Sequence, residues 1–273
     1  MKHAISQVCT LRSPLETDLE EFSAAACQTV ELWLGKLEIY LDLHSSDDFR
    51  QLLAAHQLEA PVASFQGGLF TSQQDARREH WAHFSRRLEL CRAVGIGTLV
   101  IAADPAGPLT HDAVRGIRSS LSEAAELASG HGVRLALEFQ ARSAMPNNLE
   151  TAAALVAEVG HPHLGICLDA FHFFTGPSKT EDLEYLSAAN LFHVQLSDLA
   201  AQPRELATDA DRILPGDGDF PLAEIVRRMV EIGYDGCVSL ELMNPQIWSI
   251  PPRSVGEIGI TALRKVLGQA RME

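Results

Sequence analysis

Four short apolar runs in the second half of the chain each end at a carboxylate or an amide: LALEF at Glu138, GICLD at Asp169, LFHVQ at Gln195 and VSLEL at Glu241. Burying a carboxylate at the end of an apolar run is costly unless it is paired, metal-bound or held at a perturbed pKa. One such glutamate could simply cap a helix or pair with an arginine, but four successive runs with the same ending point to one shared site. Three carboxylates and an amide oxygen form a hard-oxygen shell. Mn²⁺, Mg²⁺ or Co²⁺ accepts such a set, whereas Zn²⁺ prefers more nitrogen or sulfur. The expectation is one divalent ion held by Glu138, Asp169, Gln195 and Glu241.

Other residues stand near these run ends. His172 follows Asp169 by three positions in LDAFHFF, an offset that holds an imidazole beside the ion to bind a substrate hydroxyl or move a proton, or else leaves it bonded to a loop carbonyl. Strand alternation puts His193 on the same face as Gln195 and deeper, where core packing explains it equally well. Arg212, in DRILPGDG, either reaches a substrate oxygen as a bidentate donor or pairs with Asp209 or Asp211.

Residues about one hundred positions apart meet only if the elements bearing them converge, and parallel strands closed into a barrel do this at their C-terminal ends. Strand-like runs occur near 3–9, 29–33, 61–66, 98–102, 133–138, 164–169, 190–196 and 237–242, alternating with helical patterns. Eight strands close a barrel, so the expected fold is an α/β single (β/α)8 barrel with one domain over residues 1–273. Trp81, Phe84, Leu88 and Cys91 form one apolar face of a helix over 75–94, and a second helix is expected over 119–132. The stretch 197–220 lacks periodicity and starts at the strand mouth, which marks it as a functional loop or a surface excursion.

The chain carries 22 Lys and Arg against 36 Asp and Glu, a net charge of -14 that disfavours nucleic-acid and anionic-membrane partners. No apolar run is long enough to span a bilayer, and the first residues lack a secretory h-region, so cytoplasmic residence is the expectation. The five cysteines have no CxxC spacing and read as buried thiols. Strand-end segments show no Lys and Arg cluster, which argues against a phosphorylated substrate. Trp33, Phe65 and Phe70 are either core residues or a substrate wall, and Trp248 and Ile250 either cover the barrel mouth or join a homodimer contact.

LALEF, GICLDAFHFF, LFHVQLSD and DRILPGDGDFPLAEIVRRMVEIGYDGCVSLEL together resemble the metal-site strands, loop arginine and last strand of the xylose isomerase-like TIM-barrel superfamily of sugar isomerases and epimerases. Inosose isomerase-like proteins are similar at DRILPGDG and SLELM but carry His where this chain has Gln195. Hydroxypyruvate isomerases and 3-dehydroshikimate dehydratases are similar there, with Gln as a ligand. The resemblance implies proton abstraction beside a carbonyl through an enediolate, with Glu138 and Glu241 as base and acid, and His172 and Arg212 on substrate oxygens. It implies an isomerase or epimerase of a small sugar, keto-polyol or hydroxy-keto acid. The alternatives are a lyase of the dehydratase type and a non-catalytic sugar- or metal-binding barrel.

Overall fold

The computed structural model describes residues 1–70, 74–105 and 107–269. Eight parallel strands form a closed barrel: β1 (Lys2–Ser6), β2 (Thr29–Trp33), β3 (Glu59–Gln66), β4 (Thr98–Ala102), β5 (Arg134–Glu138), β6 (Leu164–Asp169), β7 (Leu191–Leu196) and β8 (Cys237–Leu240). Each pairs with its neighbour in sequence, and β8 returns to β1 through Lys2↔Cys237 to Ile5↔Leu240. Helices α1 (Leu15–Ala24), α2 (Leu34–Leu41), α3 (Ser46–Ala55), α4 (Gln74–Val94), α5 (His111–Gly130), α6 (Leu149–Val159), α7 (Ala170–Thr175), α8 (Leu222–Glu231) and α9 (Pro252–Gln269) lie in the crossovers and after β8. Strands β4, β6, β7 and β8 are buried along their whole length, as a parallel sheet under helices must be, while β1 and β3 are exposed at their N-terminal ends.

The eight expected strands are all present, with informative differences at their ends. The first is shorter because Gln7 turns the chain into a 3-10 turn over Gln7–Thr10. Its amide nitrogen donates to Asp18 Oδ2 at 3.0 Å and its oxygen accepts from the Trp33 backbone N–H at 3.0 Å. The last strand stops at Leu240, yet the Glu241 N–H still donates to the Leu196 carbonyl at 3.1 Å, so Glu241 stays at the barrel rim. In α4, Phe84, Leu88 and Cys91 are fully buried, as their spacing requires, and Trp81 packs against the same core. Helix α5 begins eight residues before the expected start. Its first turns bury little, with the core face starting at Ile117, and the Thr110 hydroxyl caps it by accepting from the Ala113 N–H at 3.1 Å.

All five cysteines are free and buried. Among the described residues, no helix is long and apolar enough to cross a membrane.

Candidate active site

The barrel places Glu138 as the last residue of β5, Asp169 as the last of β6, Gln195 beside Asp169 on β7 and Glu241 just beyond β8. All four meet at the C-terminal mouth, where (β/α)8 barrels place their chemistry. Asp169 also opens α7, its Oδ1 accepting from the Phe171 N–H at 2.8 Å. That capping bond sets the first turn of α7 and carries His172 over the site, with Nε2 3.7 Å from both Glu138 Oε1 and Asp169 Oδ2. Ligand atoms of Glu138, Asp169 and His172 lie within 4.8 Å of one another.

Arg212 crosses the same space. Its Nη2 donates to Asp169 Oδ2 at 2.6 Å and to Asp209 Oδ1 at 2.8 Å, while Nη1 donates to Glu241 Oε2 and to Asp169 Oδ1, each at 3.1 Å. The guanidinium is 1% exposed and lies over the Phe171 ring, 4.4 Å from its centroid. Of the two readings the sequence leaves open, the pairing with Asp209 is present, and the guanidinium also binds Asp169 and Glu241.

The 197–220 loop is the platform for this arginine. Asp198 is fully buried and accepts from the Gly216 and Phe220 N–H groups, each at 2.9 Å, while an antiparallel bridge joins Asp198 to Ile213. A Cβ on Gly218 would sit 2.4 Å from Asp198 Oδ1, so only glycine lets the loop close there. Asn244, after β8, donates to the Arg212 carbonyl at 3.0 Å and fixes the loop from the other side.

Below this layer lies a pair that the run-end pattern does not mark. Glu31, in the middle of β2, takes His193 Nε2 on Oε2 at 3.0 Å and Gln195 Nε2 on Oε1 at 3.0 Å, with Glu31 and His193 both fully buried. His193 does lie beneath Gln195 on the same face, as alternation requires. The signal for Glu31 was a charged residue between Val30 and Leu32 in an otherwise apolar strand. Gln195 Nε2 also donates to Glu241 Oε1 at 2.9 Å, and its oxygen accepts from the Cys167 thiol at 3.1 Å.

These contacts set the electrostatics. Burial raises the pKa of Glu138, reinforced by Asp169. Burial also raises Glu241, with Arg212 opposing. At Asp169 burial is outweighed by Arg212 and His172, so its carboxyl is held below the usual value. Burial keeps His172 neutral by lowering its pKa, despite Asp169. At His193 burial is overcome by Glu31, which pushes the imidazole up to about 10, and Glu31 is lowered in turn. Glu31, Glu138, Asp169 and Glu241 supply four buried carboxylates against two cations, Arg212 and His193. Carboxylates therefore outnumber cations, and Asp209 adds a further carboxylate on Arg212. This imbalance and the oxygen-rich donor set fit a bound metal ion, and without one the strain falls on the protonation of Glu138 and Glu241.

Above the cluster opens a cavity of about 380 Å³, within the usual range for a small-molecule site. Trp33 and Phe65 form one wall, their ring centroids 5.3 Å apart, and Arg142 and Ser143 stand at the β5–α6 side. Phe70 packs against the core outside this cavity. Trp248 donates to the Val8 carbonyl at 2.7 Å and Ile250 packs on the core.

Residues 19–266 match the xylose isomerase-like TIM barrel family, and the chain belongs to it. It is 28% identical over 257 residues to inosose isomerase of Bacillus velezensis, covering 92% of this chain and 91% of that one. It is also 28% identical to the 3-dehydroshikimate dehydratase of Pseudomonas aeruginosa, covering 96% of this chain but 41% of that longer protein. Among solved structures, the IOLI protein with a binding zinc atom superimposes with a TM-score of 0.92 at 25% identity, over 99% of both chains.

Proposed function

We propose that this protein is a divalent-metal-dependent isomerase or epimerase of a small keto-sugar, keto-polyol or hydroxy-keto acid. The observation that carries the reading is a buried cluster in which carboxylates outnumber cations at the floor of an open cavity. The class of enzyme named for the inosose isomerase relatives supports it. Glu138, Asp169 and Glu241 would hold the ion, with the Gln195 oxygen as neutral fourth donor and Mn²⁺, Mg²⁺ or Co²⁺ best matched to the set. When bound, the ion supplies Lewis-acid polarisation of a carbonyl and neutralises the charge that develops on its oxygen.

The chain's own residues then supply the proton transfers. One glutamate takes the proton from the carbon next to the carbonyl, the electron pair moves into an enediolate, and the other glutamate returns a proton at the neighbouring carbon. Burial raises the pKa of both, which makes each a stronger base than an ordinary carboxylate. Glu241 is held at both oxygens by Gln195 and Arg212, whereas Glu138 has only the neutral His172 imidazole beside it, at 3.7 Å. Glu138 is therefore the freer of the two to move toward a substrate carbon. Arg212 and His172 orient substrate oxygens, and the Trp33 and Phe65 wall excludes water from one side.

Dehydration is the second reading, favoured by the dehydratase relative and by His172. This neutral imidazole stands over Glu138, and once protonated by it would give that proton to a leaving hydroxide.

The test strips the protein with a chelator, adds back Mn²⁺, Mg²⁺, Co²⁺ or Zn²⁺ singly, and follows solvent deuterium into ketoses, inososes, hydroxypyruvate and 3-dehydroshikimate by NMR. Metal-dependent exchange with an isomeric product supports the isomerase reading, and loss of water supports the lyase. Tight metal binding with no exchange in any compound would leave a non-catalytic binding barrel as the better account.

A further inference from the structure

We infer that Glu31 is a positioning residue that fixes the Gln195 amide, committing its nitrogen and leaving its oxygen as the free donor end; this rests on the proposed metal site. An amide side chain has two nearly isosteric ends, one only a donor and the other only an acceptor, so its neighbours must choose between them. Glu31 offers oxygens on both branches. His193 Nε2 occupies one and Gln195 Nε2 the other, each at 3.0 Å, in a setting with no solvent exposure at Glu31 or His193.

The nitrogen of Gln195 is thereby committed to Glu31 and to Glu241 Oε1. Its oxygen is left with the Cys167 thiol alone, a weak donor that competes poorly with a cation. Were the amide reversed, its oxygen would face the Glu31 carboxylate, and that repulsion keeps it from happening. His193 anchors the selecting carboxylate from the opposite side. A chain of three side chains on β7 and β2, His193 to Glu31 to Gln195, thus fixes which end of the amide is left to donate to an ion. Partners behind a metal ligand commonly govern affinity by about 10- to 100-fold.

Glu31→Gln is the informative substitution, because a glutamine there accepts or donates and no longer chooses. Mn²⁺ binding to the chelator-stripped protein is measured by calorimetry for wild type, E31Q, Q195A and E31Q/Q195A, with thermal melts of each. Each single variant is expected to weaken Mn²⁺ binding at least tenfold, and the double variant to be no weaker than Q195A alone. The melt should drop for E31Q in both backgrounds, since His193 loses its charged partner either way. If E31Q leaves Mn²⁺ affinity unchanged, or weakens it equally with and without Gln195, the positioning role is overturned while the metal site stands. If wild type binds no Mn²⁺, Mg²⁺, Co²⁺ or Zn²⁺, the metal reading itself fails and takes this inference with it. Should E31Q not fold, E31Q/H193N replaces the charged pair by a neutral one and carries the same comparison.

Discussion

Two clusters of charge are buried in this barrel, and they are built on opposite principles. Near the start of the chain Lys36 Nζ donates to Asp18 Oδ2 and to the Thr10 carbonyl at 2.7 Å, one cation for one anion, with Gln7 as a neutral link. At the mouth four carboxylates share two cations. The first cluster is closed: its charges cancel, and its contacts serve to pin the turn after β1 and the Trp33 backbone. The second is open, facing a cavity with an unmet demand for positive charge. A fold tolerates a matched buried pair as structure, whereas an unmatched cluster survives only where something else supplies the counter-charge.

The largest expected effect lies in the open cluster. E138Q keeps shape and removes a proton acceptor, while E241Q also turns an NH2 group toward either Gln195 Nε2 or Arg212 Nη1; each should lower turnover by about 10²- to 10⁴-fold, with the melt near wild type for E138Q and lower for E241Q. Exchange of substrate protons measured with saturating metal reads this directly. A variant with undiminished exchange would remove that glutamate from the chemistry.

The closed cluster should respond in stability instead. K36M leaves Asp18 buried without its cation and is expected to cost about 3–5 kcal/mol in denaturant unfolding, whereas K36M/D18L, which removes both charges, should recover most of it. Neither should alter metal affinity by more than about twofold, because the pair does not touch the carboxylates at the mouth. Loss of metal binding in K36M would mean that the two clusters are coupled and not independent.

Metal should reverse the strain in the open cluster alone. At about one hundred times its dissociation constant, a bound ion is expected to stabilise the protein by about 2.7 kcal/mol, and chelation to remove that gain. The increment should shrink in E241Q and persist in K36M/D18L. An equal increment in E241Q would place the ion away from Glu241.

The sequence exposes these two clusters unequally, for physical reasons. Glu138, Asp169, Gln195 and Glu241 are legible because each interrupts an apolar run at its end, and parallel strands read as continuous apolar runs. The eight-strand barrel is legible on the same ground. Glu31 carries a weaker mark of the same kind, one charge inside TVELW, and acquires meaning only once β7 lies across the barrel from it. Asp18 and Lys36 carry no mark at all: each sits in an amphipathic segment where a charge ordinarily faces water, and burial arises from how α1 and α2 pack around the Gln7 turn. The partners of Arg212 were half legible, since Asp209 is local while Asp169 and Glu241 are brought to it by the closed barrel.

The smallest expected effect tests whether the closed cluster is as well matched as its stoichiometry suggests. Burial pushes the Asp18 carboxyl up from 3.8 to about 6, and Lys36 only partly opposes this. A carboxyl whose folded value is raised favours the folded state below its unfolded value and loses that contribution as the pH rises through its folded value. Asp18 should therefore contribute stability near pH 4 that fades by about pH 6.5, an amount on the order of 2 kcal/mol. D18N lacks this titration, so the advantage of wild type over D18N in urea unfolding should shrink as the pH is raised across that window. An advantage that instead grows with pH would mean that Lys36 outweighs burial and that ionised Asp18 is the favoured form. The closed cluster would then be a fully compensated ion pair, and its contrast with the open one sharper than the burial of Asp18 alone implies.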